Sequence, residues 1–281
     1  MPDTHEVLPN APLALVAVEI RFPNGTSGQP LPTNIRRSFR DLLGEEWVLE
    51  SQTVPQFALT LGPGGPLPQP GLALTMPRFT LRDRTLAVAV TEQSMTVEAT
   101  RYKHYPTFRE VVERAVDAAA QVLVPDGIAR VGMRYIDEIR VPDVGDDPAF
   151  WRDWVDVSLL APQIDAMESA GFASIAWEAA AQYQTGPDQK LVLRYGPRIG
   201  YAVNPQGPLK RPSVPPPGPL FLLDFDCYWE PTDIPEFDPS TIMTTCDQLR
   251  APIRALFDLL MTDKLQKEFS KEVTDGGPLH R

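Results

Sequence analysis

The sequence predicts an α+β fold: two successive units, each a strand, a helix, three or four further strands and a closing helix, share one large antiparallel sheet with the long helices on one face. Three observations predict it. Runs in which apolar and polar residues alternate recur along the chain, the period of half-buried strands. Two segments, from Thr107 and from Pro239, carry a single apolar stripe at helical spacing. Each closes a series of strands, and after residue 125 the series begins again.

The first unit opens with Val16, Val18, Ile20 and Phe22 on one face and Ala17, Glu19 and Arg21 on the other. A loop with Pro23, Gly25, Gly28 and Pro30 follows, and Thr33-Asn34 caps a helix, Ile35 to Leu43, that stops at Gly44. Trp47 to Leu61 reads as extended, Gly62 to Gly71 as a Pro/Gly turn, and Leu72–Leu81, Leu86–Val90 and Met95–Thr100 as strands. Thr107 to Val124 is a helix with Phe108, Val112, Ala115, Ala119 and Val122 on its stripe.

The second unit opens with a long strand, Ile128 to Val141. Val131, Met133, Tyr135, Ile139 and Val141 share one face and Arg130, Arg134, Glu138 and Arg140 the other, with Asp137 an exception on the apolar side. Asp147-Pro148 starts a short helix through Trp151 and Trp154; Val155–Leu160 reads as extended and Pro162–Ser169 as helical. Phe172–Tyr183 and Lys190–Tyr195 form a hairpin, a proline-rich loop spans 204–219, and Phe221 to Trp229 alternates again. Asp238-Pro239 caps a long helix striped by Ile242, Cys246, Leu249, Ile253, Leu256 and Leu260, which Pro252 is expected to kink. Residues 1–125 and 126–281 are thus read as two α+β halves of one continuous unit. By element order the arrangement resembles the saddle of the TATA-binding-protein fold or a helix-grip fold, an analogy that does not fix function.

Composition narrows the function. At 43% hydrophobic and 22% charged the chain is globular. Its polar, acidic start offers neither a secretory signal nor a membrane span, and two cysteines make no disulfide framework, so a cytoplasmic protein is expected. The net charge of −11 disfavours nucleic acid or an anionic membrane as partner, although arginine outnumbers lysine twenty to six. Only three histidines are present, His5, His104 and His280, and no phosphate loop, nucleophile elbow or zinc spacing occurs. No catalytic residue, metal or cofactor is expected.

Several features together resemble a sporadically distributed, functionally uncharacterised bacterial family of about this length. They are Pro12 with the first strand, Glu98-Ala-Thr-Arg-Tyr, Tyr105-Pro-Thr-Phe, Leu223-Asp-Phe-Asp, and above all Arg134-Tyr-Ile-Asp-Glu-Ile, an Arg-Tyr-Ile-x-x-Ile strand motif. The resemblance implies a bacterial context and no particular activity.

The candidate binding residues lie on strands and short connections. Arg130, Arg134 and Glu138 share a face with Asp224 and Asp226: paired guanidinium groups there can grip a phosphate or carboxylate, and the plainer reading is a cross-strand ion-pair ladder. Tyr102 and His104 interleave aromatic and basic groups, which can stack on a ring, against the plainer reading of a loop flanking a helix. Trp151 and Trp154 stand three apart, a partner anchor if exposed and a staple onto the sheet if buried. The function expected is non-catalytic docking of another protein, a second copy included. The alternatives are a nucleic-acid module that uses the arginine face and a small-molecule pocket between sheet and helices.

Overall fold

The alternating runs assemble into one nine-stranded sheet in which every neighbouring pair is antiparallel. The architecture is that of a computed structural model, which describes residues 10–23, 31–54, 57–62, 65–70, 74–144, 148–160, 169–172 and 177–271. In chain order the elements are β1 (Leu13–Arg21), α1 (Thr33–Leu43), β2 (Trp47–Val54), β3 (Phe57–Gly62), β4 (Gly65–Pro70), β5 (Leu74–Leu81), β6 (Leu86–Val90), β7 (Ser94–Ala99) and α2 (Tyr105–Val122). They continue with β8 (Arg130–Ile139), two 3-10 turns (Pro148–Asp153 and Val157–Leu159), β9 (Ala179–Gly186), β10 (Gln189–Gly200), β11 (Gly218–Trp229), α3 (Pro239–Leu260) and α4 (Asp263–Phe269). The sheet order is β2-β5-β6-β7-β1-β8-β11-β10-β9, with β3 and β4 paired apart from it.

β1 and β8, the strands expected to lead the two units, lie side by side at the centre, with Val18 opposite Met133. One face is closed by helices: α3 crosses β8, β10 and β11, α2 lies on β7, and α1 packs on α2 and β2. The strand residues on that face, Val16, Val18, Ile20, Val97, Met133, Phe225 and Cys227 among them, join Val112, Ala119, Ile242, Cys246 and Leu249 of the helices in one apolar cluster that runs through both halves. Burying a helix with one apolar stripe requires such a face. Cys227 and Cys246 are free and buried, and burial pushes their thiols up to about 11 and about 12.

Local chemistry sets the element ends. Asp238 accepts hydrogen bonds from the Ser240 and Thr241 amides, so its carboxylate caps α3 while Pro239 opens the first turn. Thr262 caps α4, a helix that the apolar stripes do not predict.

Other expectations are corrected. The expected turn Gly62–Gly71 contains β4, whose Pro66, Pro68 and Pro70 alternate along a two-stranded ribbon; such a ribbon has a free side, where a missing N–H breaks no ladder bond. The stretch 155–160, expected to be extended, holds a 3-10 turn capped by Asp156. β9 starts at Ala179 rather than Phe172. The helical piece expected at 162–169 lies outside the described residues, apart from Ser169, as do His5 and His280.

Candidate functional site

The open face of the sheet, opposite the helices, collects most of the candidate residues. Arg130, Arg134 and Glu138 stand four apart on β8, so the two-residue period puts all three on this face. β11 lies in register beside it, with Asp226 opposite Arg134 and Asp224 opposite Ile136.

The ion pairs run diagonally between strands. Arg134 donates from Nε and Nη2 to the two oxygens of Asp224, both at 2.7 Å, the bidentate geometry that suits a planar guanidinium to a carboxylate. That hydrogen-bonded pairing raises the pKa of Arg134 further, against the effect of its own burial. Arg194 of β10 approaches the same carboxylate at 3.6 Å. The Asp224 side chain is 6% exposed, whereas those of Arg134 and Arg194 are 47% and 41% exposed. A buried acid thus anchors two guanidinium groups that reach solvent.

Arg130 lies nearer the strand's start and is almost fully covered. It donates to Glu19 at 2.5 Å and to Asp226 at 3.4 Å, and its guanidinium stacks 4.5 Å from the centre of the Tyr228 ring. Gly132 makes room for it: a Cβ there would stand 2.6 Å from Arg130 Nη1. Glu98 of β7 takes no part in these pairs and accepts from Arg78 at 2.7 Å.

Glu138 is not available to a partner, which corrects its place among the binding residues. Its carboxylate is fully buried and accepts from Arg140 Nε (2.9 Å), Arg211 Nη1 (2.9 Å) and the Ala202 amide (2.8 Å). The proline-rich connection between β10 and β11 lies across this end of the open face as a strap. Ala202 and Val203 pack on Ile136, Leu220 and Leu222, and Lys210 exchanges backbone bonds with Arg84 and the Thr100 hydroxyl. Asp224 is likewise enclosed by its own cations rather than presented.

The aromatic candidates face elsewhere. Trp151 and Trp154 are 2% and 8% exposed; the first packs on Phe221 and the second stacks on Phe150, so they staple the 3-10 segment to the core and present no anchor. Tyr102 turns inward, its hydroxyl 3.3 Å from that of Tyr135. Burial pushes the Tyr135 phenol well above its ordinary range. His104 is exposed and caps α2, its Nδ1 accepting from the Thr107 amide at 3.4 Å. The two do not form a common stacking surface.

Three features stand outside the candidate binding residues named from the sequence. Arg194 sits two residues from Val192 on an alternating strand, and only the β10–β11 register brings it to Asp224. A polar seam ties the start of α2 to α3: Tyr105 donates to Asp247 at 2.7 Å, Arg109 binds the same carboxylate, and Arg250 lies over the Tyr105 ring. Asp137 is the third: burial, with a smaller contribution from the charge of Asp224, pushes its carboxyl up to about 7. Its signal was an acid in the apolar phase of β8.

Two surface hollows lie away from the sheet, one of about 530 Å³ between α1 and α2 lined by Leu42, Glu113 and Arg114, the other of about 390 Å³ along α4. Among the described residues no three His, Cys, Asp or Glu side chains converge as a metal site would need, and no helix is long and apolar enough to cross a membrane. Comparison with protein-family models and with curated proteins finds no match for this chain.

Proposed function

We propose that this chain is a non-catalytic recognition protein that docks another protein on the open face of its sheet, with Arg134 and Arg194 as the contact pair. The observation that carries this reading is the buried Asp224 beneath two half-exposed guanidinium groups. Asp224 engages Nε and Nη2 of Arg134 and leaves Nη1 outside the pair. Arg134 is held in place before a partner arrives and Arg194 is drawn to the same carboxylate, which lowers the ordering cost of binding a carboxylate. The cations of this face are shared among Glu19, Glu98, Asp224 and Asp226, so the surface is close to neutral in a chain of net charge −11. A polyanion gains little there; a protein surface of mixed charge with an exposed acid fits it better. Two buried free thiols accord with a reducing compartment, and we place the protein in the cytoplasm.

The strand order also supports reading the chain as a duplication, with β1, β7, β6 and β5 corresponding to β8, β11, β10 and β9 outward from the centre, and a long helix after β7 and after β11. The helices covering one face accord with a saddle or helix-grip-like arrangement, and the bacterial family with the Arg-Tyr-Ile-x-x-Ile motif remains the proposed kinship.

The test is capture from a nuclease-treated bacterial extract with the wild-type chain, Arg134→Lys and Arg194→Ala. Neither variant strips Asp224 of all its cations, so both are expected to fold as wild type does. A protein retained by wild type and lost by both variants is the expected result. Capture that ignores both variants, or retention on heparin that falls steeply with salt, contradicts the proposal.

A further inference from the structure

The two ends of the nine-stranded sheet are finished differently. At one end β2 carries Glu50, held by Arg84 at 2.8 Å, the kind of charge that discourages a further strand. At the other end β9 runs eight residues, Ala-Ala-Ala-Gln-Tyr-Gln-Thr-Gly, without a charged residue or a proline. It pairs with β10 on its inner side, and among the described residues no strand pairs with its outer side. Alternate N–H and C=O groups of an antiparallel edge strand point outward, and a free row of them is a template for another strand. Tyr183, on this strand, is 45% exposed.

The side chains identify the partner. Antiparallel pairing of β9 with a second β9 about a two-fold axis at Gln182 sets Tyr183 opposite Ala181, Gln184 opposite Ala180 and Thr185 opposite Ala179, each bulky residue meeting an alanine of the other copy. Gln182 then faces its own counterpart, and two primary amides hydrogen-bond one another. The two Tyr183 rings take the diagonal positions, about 7–8 Å apart and within reach of each other across a strand pair. A strand with a lysine or glutamate at its middle opposes its own charge in this arrangement; this one has none. We infer that β9 is the interface of a homodimer in which two copies pair edge to edge and the sheet continues from one into the other. Gln182 projects from the same sheet face as Arg194, which lies opposite Ala180, but the pairing uses neither Arg194 nor Arg134, so it does not rest on the function proposed above.

Three chains test it in sedimentation over a concentration series and in thiol cross-linking. Wild type is expected to show a reversible monomer–dimer equilibrium. Gln182→Lys, which sets two ammonium groups face to face at an exposed position, is expected to stay monomeric with an unchanged far-UV spectrum. Gln182→Cys is expected to form an interchain disulfide under a mild oxidant, because directly opposed residues of an antiparallel pair lie about 4.5–5.5 Å apart at Cα, within disulfide range. Val157→Cys, exposed in a 3-10 turn elsewhere, is the control and is expected to cross-link far more slowly. Arg194→Ala is expected to dimerise as wild type does, which separates this interface from the open face. A wild-type chain that stays monomeric to its solubility limit overturns the inference, as does a Gln182→Lys chain that dimerises normally or a Gln182→Cys chain that cross-links no faster than the control. Capture of a foreign strand on this edge by an otherwise monomeric chain overturns it equally.

Discussion

Asp137 occupies a core-facing position of β8, and burial pushes its carboxyl up to about 7. An acid whose folded pKa lies above its unfolded value holds its proton more firmly in the native state. Its favourable contribution is therefore complete below about pH 4, falls as pH rises toward 7, and above 7 leaves a constant penalty for charging a buried group. Asp137→Asn keeps the shape and cannot ionise. Urea unfolding is expected to show the variant more stable than wild type by about 1–3 kcal/mol at pH 8, and nearly equal to it at pH 4. The same difference at both pH values would contradict the assignment. The arginines of the open face, unlike Asp137, have charged partners: Arg134 has Asp224, and Arg130 has Glu19 and Asp226. Gly132→Ala puts a methyl group where the Arg130 guanidinium lies, and is expected to break the contact with Tyr228 and destabilise the fold by about 1–2 kcal/mol, measurable by the same unfolding curve.

Among the elements, the strap between β10 and β11 owes its course to Glu138, which holds Arg140, Arg211 and the Ala202 amide together. Glu138→Ala leaves two nearly buried guanidinium groups without their carboxylate, a change that costs about 3–5 kcal/mol where a buried pair is broken. The variant is expected to be cleaved within 203–217 by a protease that spares wild type; equal resistance would show that the apolar cluster of Ile136, Leu220 and Leu222 suffices to hold the strap. The sequence made part of this legible. Period-two alternation placed Arg130, Arg134 and Glu138 on one face of β8 and Asp224 and Asp226 on one face of β11, because side-chain direction follows from position along a strand. It did not tell which acid meets which base, since that depends on register between strands about 90 residues apart in the chain. Nor did it assign the strap: a run rich in proline signals a connection, and its docking on the sheet rests on long-range contacts with Arg84, Thr100 and Glu138. β4 was missed because alternating prolines look like a turn unless the free side of a ribbon can take them.

At the scale of the molecule, β1 and β8 are central neighbours in one sheet, and one apolar cluster runs from Phe39 and Phe79 to Phe225 and Ile253. Thermal unfolding followed by far-UV ellipticity and by tryptophan fluorescence is therefore expected to give coincident single transitions, and two resolved transitions would show separable domains. The helices close one face of this unit and the strap one end of the other, leaving Arg134 and Arg194 on the exposed remainder with Asp224 beneath them. The most direct test of recognition through that surface is quantitative capture from a nuclease-treated extract, wild type against Arg194→Ala. The account predicts a protein partner that is enriched on wild type and reduced at least about tenfold on the variant, the effect of losing roughly 1.4 kcal/mol of binding. Equal recovery of every captured protein by the two chains would contradict it.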